Sequence, residues 1–197
     1  VAELIHFLDI ETPIIVGHSM GGKVAMALSF AKSEDIKGLI VVDIAPKKYK
    51  HSNISLITAM TKANLDEISS RVEADKLFSK HIHNSELRAF VLQNLILENG
   101  VASWRINLAS ILSNLKFLMD FPYRKNEFFF KGPVLFIGGG ASEYMQGIKL
   151  DNLFDFFPSA ELKIIKNAGH WVHAKEPGLF YQIASQFLDK TQKKGTA

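Results

Sequence analysis

Apolar residues in this chain gather first into short unbroken runs and then into spaced stripes, and the two textures predict different elements. Thr12–Gly17 (TPIIVG) and Ile36–Ile44 (IKGLIVVDI) are β-branched runs of the length of a strand buried on both faces, the second stopped by Pro46. Between them, Val24, Ala27, Leu28 and Ala31 recur at helical spacing, which predicts a helix over Met20–Lys32. Residues 1–9, with Leu4, Ile5, Phe7 and Leu8, read as the end of a helix. Pro133–Gly138 (PVLFIG) and Glu161–Lys166 return to strand character, with a short helix expected over Leu153–Phe157. Leu179, Phe180, Ile183, Ala184, Phe187 and Leu188 form the stripe of a final helix.

From Lys47 to about Lys131 the pattern is mostly helical. Leu87, Phe90, Val91 and Leu95 are expected on one helix face, and Leu108, Ile111, Leu112 and Leu115 on another. Asn64 and Glu67 have the spacing of a capping box, and Asn99-Gly100 is the sequence of a tight hairpin turn. The expected organisation is core over 1–46, helical lid over 47–131 and core over 132–197. Outside the lid, strands alternate with helices, which implies an α/β fold with a parallel sheet covered on both faces. No repeat or low-complexity segment interrupts it.

Composition narrows the picture. The chain has 197 residues, 47% hydrophobic and 22% charged, and no apolar run long enough to span a bilayer. A net charge of +3 is mild, and its lysines are scattered apart from a tail cluster at Lys190, Lys193 and Lys194. Neither feature points to nucleic acid. The absence of cysteine excludes disulfides, thiolate metal sites and a thiol nucleophile, and is compatible with a reducing compartment. A cytoplasmic location is the expectation.

The chemistry concentrates in two places. Gly17-His18-Ser19-Met20-Gly21 matches G-x-S-x-G between a predicted strand and a predicted helix. Such a turn lifts a serine hydroxyl above the sheet at a helix N-terminus. There the dipole and the Met20 backbone N–H face a developing oxyanion. Glycines at 17 and 21 allow close backbone approach. Asn167-Ala168-Gly169-His170-Trp171 lies between the last strand and the last helix, at the sheet edge where sites of open α/β folds gather. Ser19 is the candidate nucleophile and His170 the candidate base, with His173 second and His18 read as shaping the pocket. His6, His51, His81 and His83 read as surface. For the acid, Asp43 at the end of its strand comes first. Glu143 follows, one residue after Ser142, which stands where an aspartate is commonest; Asp151 or no acid at all remains open.

GHSMGGKVAM (17–26), VVDIAP (41–46), ASWRINL (102–108), FIGGGAS (136–142) and NAGHWVHAKEP (167–177) together resemble the YbfF-type esterases and the related abhydrolase domain-containing protein 11 group, over nearly the whole chain. The resemblance implies an α/β-hydrolase fold and a serine hydrolase of small-molecule esters or acyl thioesters, acyl-CoA among them, with no cofactor or metal. It carries Ser19, His170 and Asp43 over as the triad. The loop after PVLFIG departs from the pattern with a third glycine, Ala141 and Glu143. Against that fold, about the first four strands are expected to be missing, and with them the loop donating the second oxyanion N–H. That would leave this polypeptide a poor catalyst by itself. His18, Trp104 and Trp171 are candidate substrate contacts, with Phe90 and Phe117 as further liners of an acyl pocket. C–C bond hydrolysis, perhydrolysis or non-catalytic ligand binding on the same fold are the rival readings. Oligomeric state is not legible.

Overall fold

The structure, a computed structural model, describes residues 1–50 and 54–193. His51, read above as surface, and Lys194 of the tail cluster lie outside the described residues. The chain divides into two compact units, Val1–Lys47 with Phe121–Ala197, and Lys48–Asp120.

The first unit opens with helix α1 (Ala2–Phe7), which buries none of its residues; Phe7 is 81% exposed. Strand β1 (Ile14–His18), helix α2 (Met20–Ala31) and strand β2 (Gly38–Val42) follow as a right-order strand–helix–strand unit. After the second unit come strand β5 (Val134–Gly139), helix α7 (Asp151–Phe154), strand β6 (Ala160–Ile165) and helices α8 (Val172–Lys175) and α9 (Pro177–Lys193). The four strands form one parallel sheet in the order β1-β2-β5-β6. Every residue of β2 and β5 is buried, which is what their unbroken apolar runs require of central strands. Among the described residues β1 pairs with β2 alone, and its Val16 is 57% exposed.

Alternation along the central strands assigns their side chains to two faces. Ile40, Val42, Leu135 and Ile137 pack with Val172 of α8 and Phe187 of α9. Phe136 faces the other way, onto Phe157, whose ring stacks on Phe30 of α2 at 5.4 Å. Phe121, Tyr123 and Phe128 also gather round Phe30. This aromatic cluster explains why the unit boundary falls at Asp120 rather than at the expected Lys131: residues 121–131 join the first unit's core.

The second unit contains helices α3 (Ile54–Lys62), α4 (Arg71–Ser79), α5 (Ser85–Leu92) and α6 (Leu108–Met119), and the hairpin of β3 (Leu95–Glu98) with β4 (Val101–Trp104). Asn99 and Gly100 turn the hairpin with φ of 52° and 77°, both left-handed as a two-residue I′ turn demands. Two expectations need correcting. Leu95 does not share a helix face with Leu87 and Val91. The helix α5 stops at Leu92, Leu95 begins β3, and Phe90 points outward. The Asn64–Glu67 pair caps only a single 3₁₀ turn, Leu65–Glu67. The four-residue box that opens a full helix is Ser70–Glu73. There the Ser70 hydroxyl accepts from the Glu73 N–H, and the Glu73 carboxylate accepts from the Ser69 N–H at 2.8 Å. Arg71 then ties α4 to the α5–β3 junction by donating to the carbonyls of Leu92 and Leu95.

Candidate active site

The elbow is built by steric necessity. Ser19 sits at φ 53°, ψ −119°, outside the regions open to a non-glycine residue at low cost, between the end of β1 and the start of α2. Its N–H donates to the Val42 carbonyl of β2, and its own carbonyl accepts from the N–H groups of Gly22 and Lys23. The turn is so sharp that a Cβ on Gly17 would lie 2.2 Å from the Gly21 carbonyl oxygen. Gly21 itself has open space where a Cβ would project; the second position that requires glycine is Gly22, whose Cβ would meet Ile44 at 2.5 Å. As the first residue of α2, Met20 presents a backbone N–H with no carbonyl four residues back inside the helix.

Asp43 follows β2 and is fully buried. Its φ of 52° turns the chain out of the strand, while its N–H still donates to the Ile137 carbonyl of β5. A buried carboxylate needs donors on both oxygens. Oδ1 accepts from the Gly139 N–H at 2.7 Å. Oδ2 accepts from the Ser142 hydroxyl and lies 2.7 Å from His170 Nδ1. The other imidazole nitrogen, Nε2, lies 3.0 Å from Ser19 Oγ. Nδ1 donates to a carboxylate, so in the neutral ring Nε2 is the bare nitrogen and accepts the Ser19 proton.

His170 stands in the loop between β6 and α8. Gly139 lets that loop come close, since a Cβ there would be 2.3 Å from the Gly169 carbonyl oxygen. Tyr144 stacks on the imidazole at 4.1 Å between centroids. Neither Ser142 as a donor to the carboxylate nor Tyr144 as a ring partner was singled out for these roles from sequence. The signal for the first was a serine at the common aspartate position; nothing pointed to the second. Glu143 is exposed, its neighbour Ser142 being the residue turned inward, and Asp151 is exposed at the start of α7.

The remaining candidates separate. His18 and Trp171 lie beside His170, at 4.6 and 5.5 Å between ring centroids, and His173 stands 4.9 Å from His18. Burial pushes the His18 pKa below the ordinary histidine range, so this ring is neutral near pH 7. Trp104 belongs to the second unit, where its indole N–H donates to the Met60 carbonyl and its ring meets Phe78 edge-on. Phe90 and Phe117 are exposed there. Among the described residues no cluster of histidine and carboxylate side chains has the makings of a metal site, and no helix is long and apolar enough to cross a membrane.

Residues 1–183 match the model of the alpha/beta hydrolase family. The chain belongs to that family. Relatives of this chain include the mouse sn-1-specific diacylglycerol lipase ABHD11, 36% identical over 89% of this chain and 58% of the relative, and the Escherichia coli esterase YbfF, 30% identical over 95% of this chain and 72% of the relative. Among solved structures, a marine microorganism esterase matches 94% of this chain and 74% of its own, with 35% identity and a TM-score of 0.88. The chain spans about three-fifths of the length of its vertebrate curated relatives, from 58% to 62%.

Proposed function

We propose that this α/β-hydrolase chain carries the catalytic residues of a serine esterase that works through an acyl-enzyme. The reading rests on one observation above the others: the continuous path Ser19 Oγ–His170 Nε2 at 3.0 Å and His170 Nδ1–Asp43 at 2.7 Å, ending on a carboxylate sealed from water. In this reading His170 takes the Ser19 proton as the hydroxyl attacks an ester carbonyl. The Met20 N–H supports the oxyanion, and the imidazolium returns the proton to the leaving alcohol. His170 then draws a proton from water for deacylation. Asp43 holds the tautomer and offsets the imidazolium charge, and Ser142 and Gly139 hold Asp43.

The lipase and esterase names of the relatives favour carboxylic esters of acyl chains, diacylglycerol among them, and the resemblance read from the sequence adds acyl thioesters. A fluorophosphonate probe tests the nucleophile. Labelling is expected on Ser19 in the protein carrying this chain and is expected to vanish in Ser19→Ala, with turnover falling about 10⁶-fold. Labelling that survives the substitution would overturn the reading. A panel of p-nitrophenyl esters, diacylglycerols and acyl-CoAs then ranks the substrate classes; turnover of acyl-CoA alone would remove the ester assignment.

A further inference from the structure

The base of a triad must be held at its backbone as well as at its ring, and the six residues between β6 and α8 that carry His170 are a loop. Both ring nitrogens of His170 are engaged by side chains, Asp43 and Ser19. Its main chain has a different partner. Nε2 of His18 lies 2.9 Å from the His170 carbonyl oxygen. A carbonyl only accepts, so His18 Nε2 carries the proton and donates it. The donor's own position is well fixed, because His18 ends β1 opposite Val42 of β2, and the next N–H, that of Ser19, is bonded to the Val42 carbonyl. The anchor of the base and the nucleophile are therefore consecutive residues, the last of a sheet-held strand and the first beyond it.

We propose that His18 is a positioning residue, which through its bond to the His170 carbonyl fixes the base loop to the nucleophile strand and so sets the separation of Ser19 Oγ and His170 Nε2. This rests on the esterase reading above. The charge state suits the role. The groups facing His18 are His170, His173 and Asp43. Burial is the largest influence on its pKa and lowers it; His170 and His173 act in the same direction, against the His170 carbonyl and Asp43. A neutral ring places no like charge beside the imidazolium that forms on His170 in each half of the cycle.

Positioning and substrate contact, the expectation from sequence, predict different kinetics. His18→Phe keeps a flat ring and loses the donor; His18→Gln keeps an N–H on a side chain of similar reach. A misplacement of reacting groups by about 1 Å costs on the order of 10²-fold in rate. His18→Phe is accordingly expected to lower kcat and the rate of Ser19 labelling about 10- to 100-fold with KM nearly unchanged, and His18→Gln to restore most of the loss. Should the phenylalanine variant fail to fold, His18→Leu replaces it. Unchanged kcat without the donor, an effect confined to KM, or a glutamine variant as poor as phenylalanine would each overturn the positioning role while leaving the esterase reading intact. Absence of Ser19 labelling in the unaltered protein would overturn both.

Discussion

In the unit that carries the Ser19 elbow, a carboxylate is buried completely and non-glycine residues at the site, Ser19 and Asp43, sit at positive φ. Among the described residues of Lys48–Asp120 the buried ones are all hydrophobic, and the one non-glycine residue at positive φ is Asn99, in a turn that favours it. The polar interactions differ in range as well. Asp43 draws its partners from positions 139, 142 and 170. The caps of α4, α5 and α6, which are Ser70, Asn84 and Asn107, each accept from an N–H three residues ahead. One unit holds strain and buried charge in place by contacts distant in sequence; the other is assembled from signals that are local. The first should therefore lose function steeply on small changes, and the second should lose a little stability and nothing else.

The sharpest way to break this contrast is at Asp43. Asp43→Asn is expected to lower kcat by about 10⁴-fold, because the amide favours the wrong imidazole tautomer and cannot offset the imidazolium. It would also put an NH2 group at one of the two oxygen positions, facing a donor there: the Gly139 N–H on one side, or the Ser142 hydroxyl on the other. Glu143→Gln is expected to leave turnover near the unaltered value. The reverse order, measured as kcat on the same ester, would move the acid to Glu143 and with it the claim that long-range contacts hold the site.

A second, smaller effect separates two glycines of one motif. Gly17→Ala forces a Cβ to within 2.2 Å of the Gly21 carbonyl oxygen, a clash with backbone that no side-chain rotation relieves. It is expected to lower the melting temperature, by the equivalent of about 3 kcal/mol or more, and to reduce Ser19 labelling. Gly21→Ala meets nothing within 4 Å and is expected to melt within a few degrees of the unaltered protein. Equal damage from both substitutions would mean that the elbow is not shaped as described.

The same division between local and distant contacts governs what could be read from sequence. The strands, the flanking helices, the elbow and the Asn99-Gly100 turn were legible because each is written in a few adjacent residues. So was the place of Ser19 and His170 on the fold, since strand-end and loop positions follow from the order of elements. The misreadings lie where a distant contact decides. Leu95 continues a helical spacing, but the hairpin claims it. Residues 121–131 follow the lid, but Phe30 recruits their aromatic rings. Gly21 belongs to the motif, yet the close approach of β1 and α2 tells on Gly17 and Gly22. Ser142 stands out in sequence only by its place and Tyr144 not at all; their roles emerge when the loop after β5 brings them to Asp43 and His170.

The smallest expected effect tests the local side of the comparison. Glu73 is fully exposed, and its pKa is lowered chiefly by the Ser69 N–H, with the Ser69 hydroxyl and Ser70 adding to it. A carboxyl whose folded pKa is depressed binds fewer protons folded than unfolded through the carboxylate range. Its contribution is therefore present above the unfolded pKa and is lost as pH falls through the folded one. Glu73→Gln is expected to lower the melting temperature slightly near neutral pH. The difference should shrink as pH drops below the ordinary carboxylate range and vanish once pH lies below the lowered folded pKa. Ester turnover at neutral pH should not change, because Glu73 bonds only to its own helix start. Melting curves of the two proteins across pH measure the first expectation and initial rates the second. A difference that persists undiminished in acid would show that Glu73 acts through packing rather than charge. A parallel loss of turnover would show that the helical unit is coupled to the chemistry more tightly than its local bonding implies.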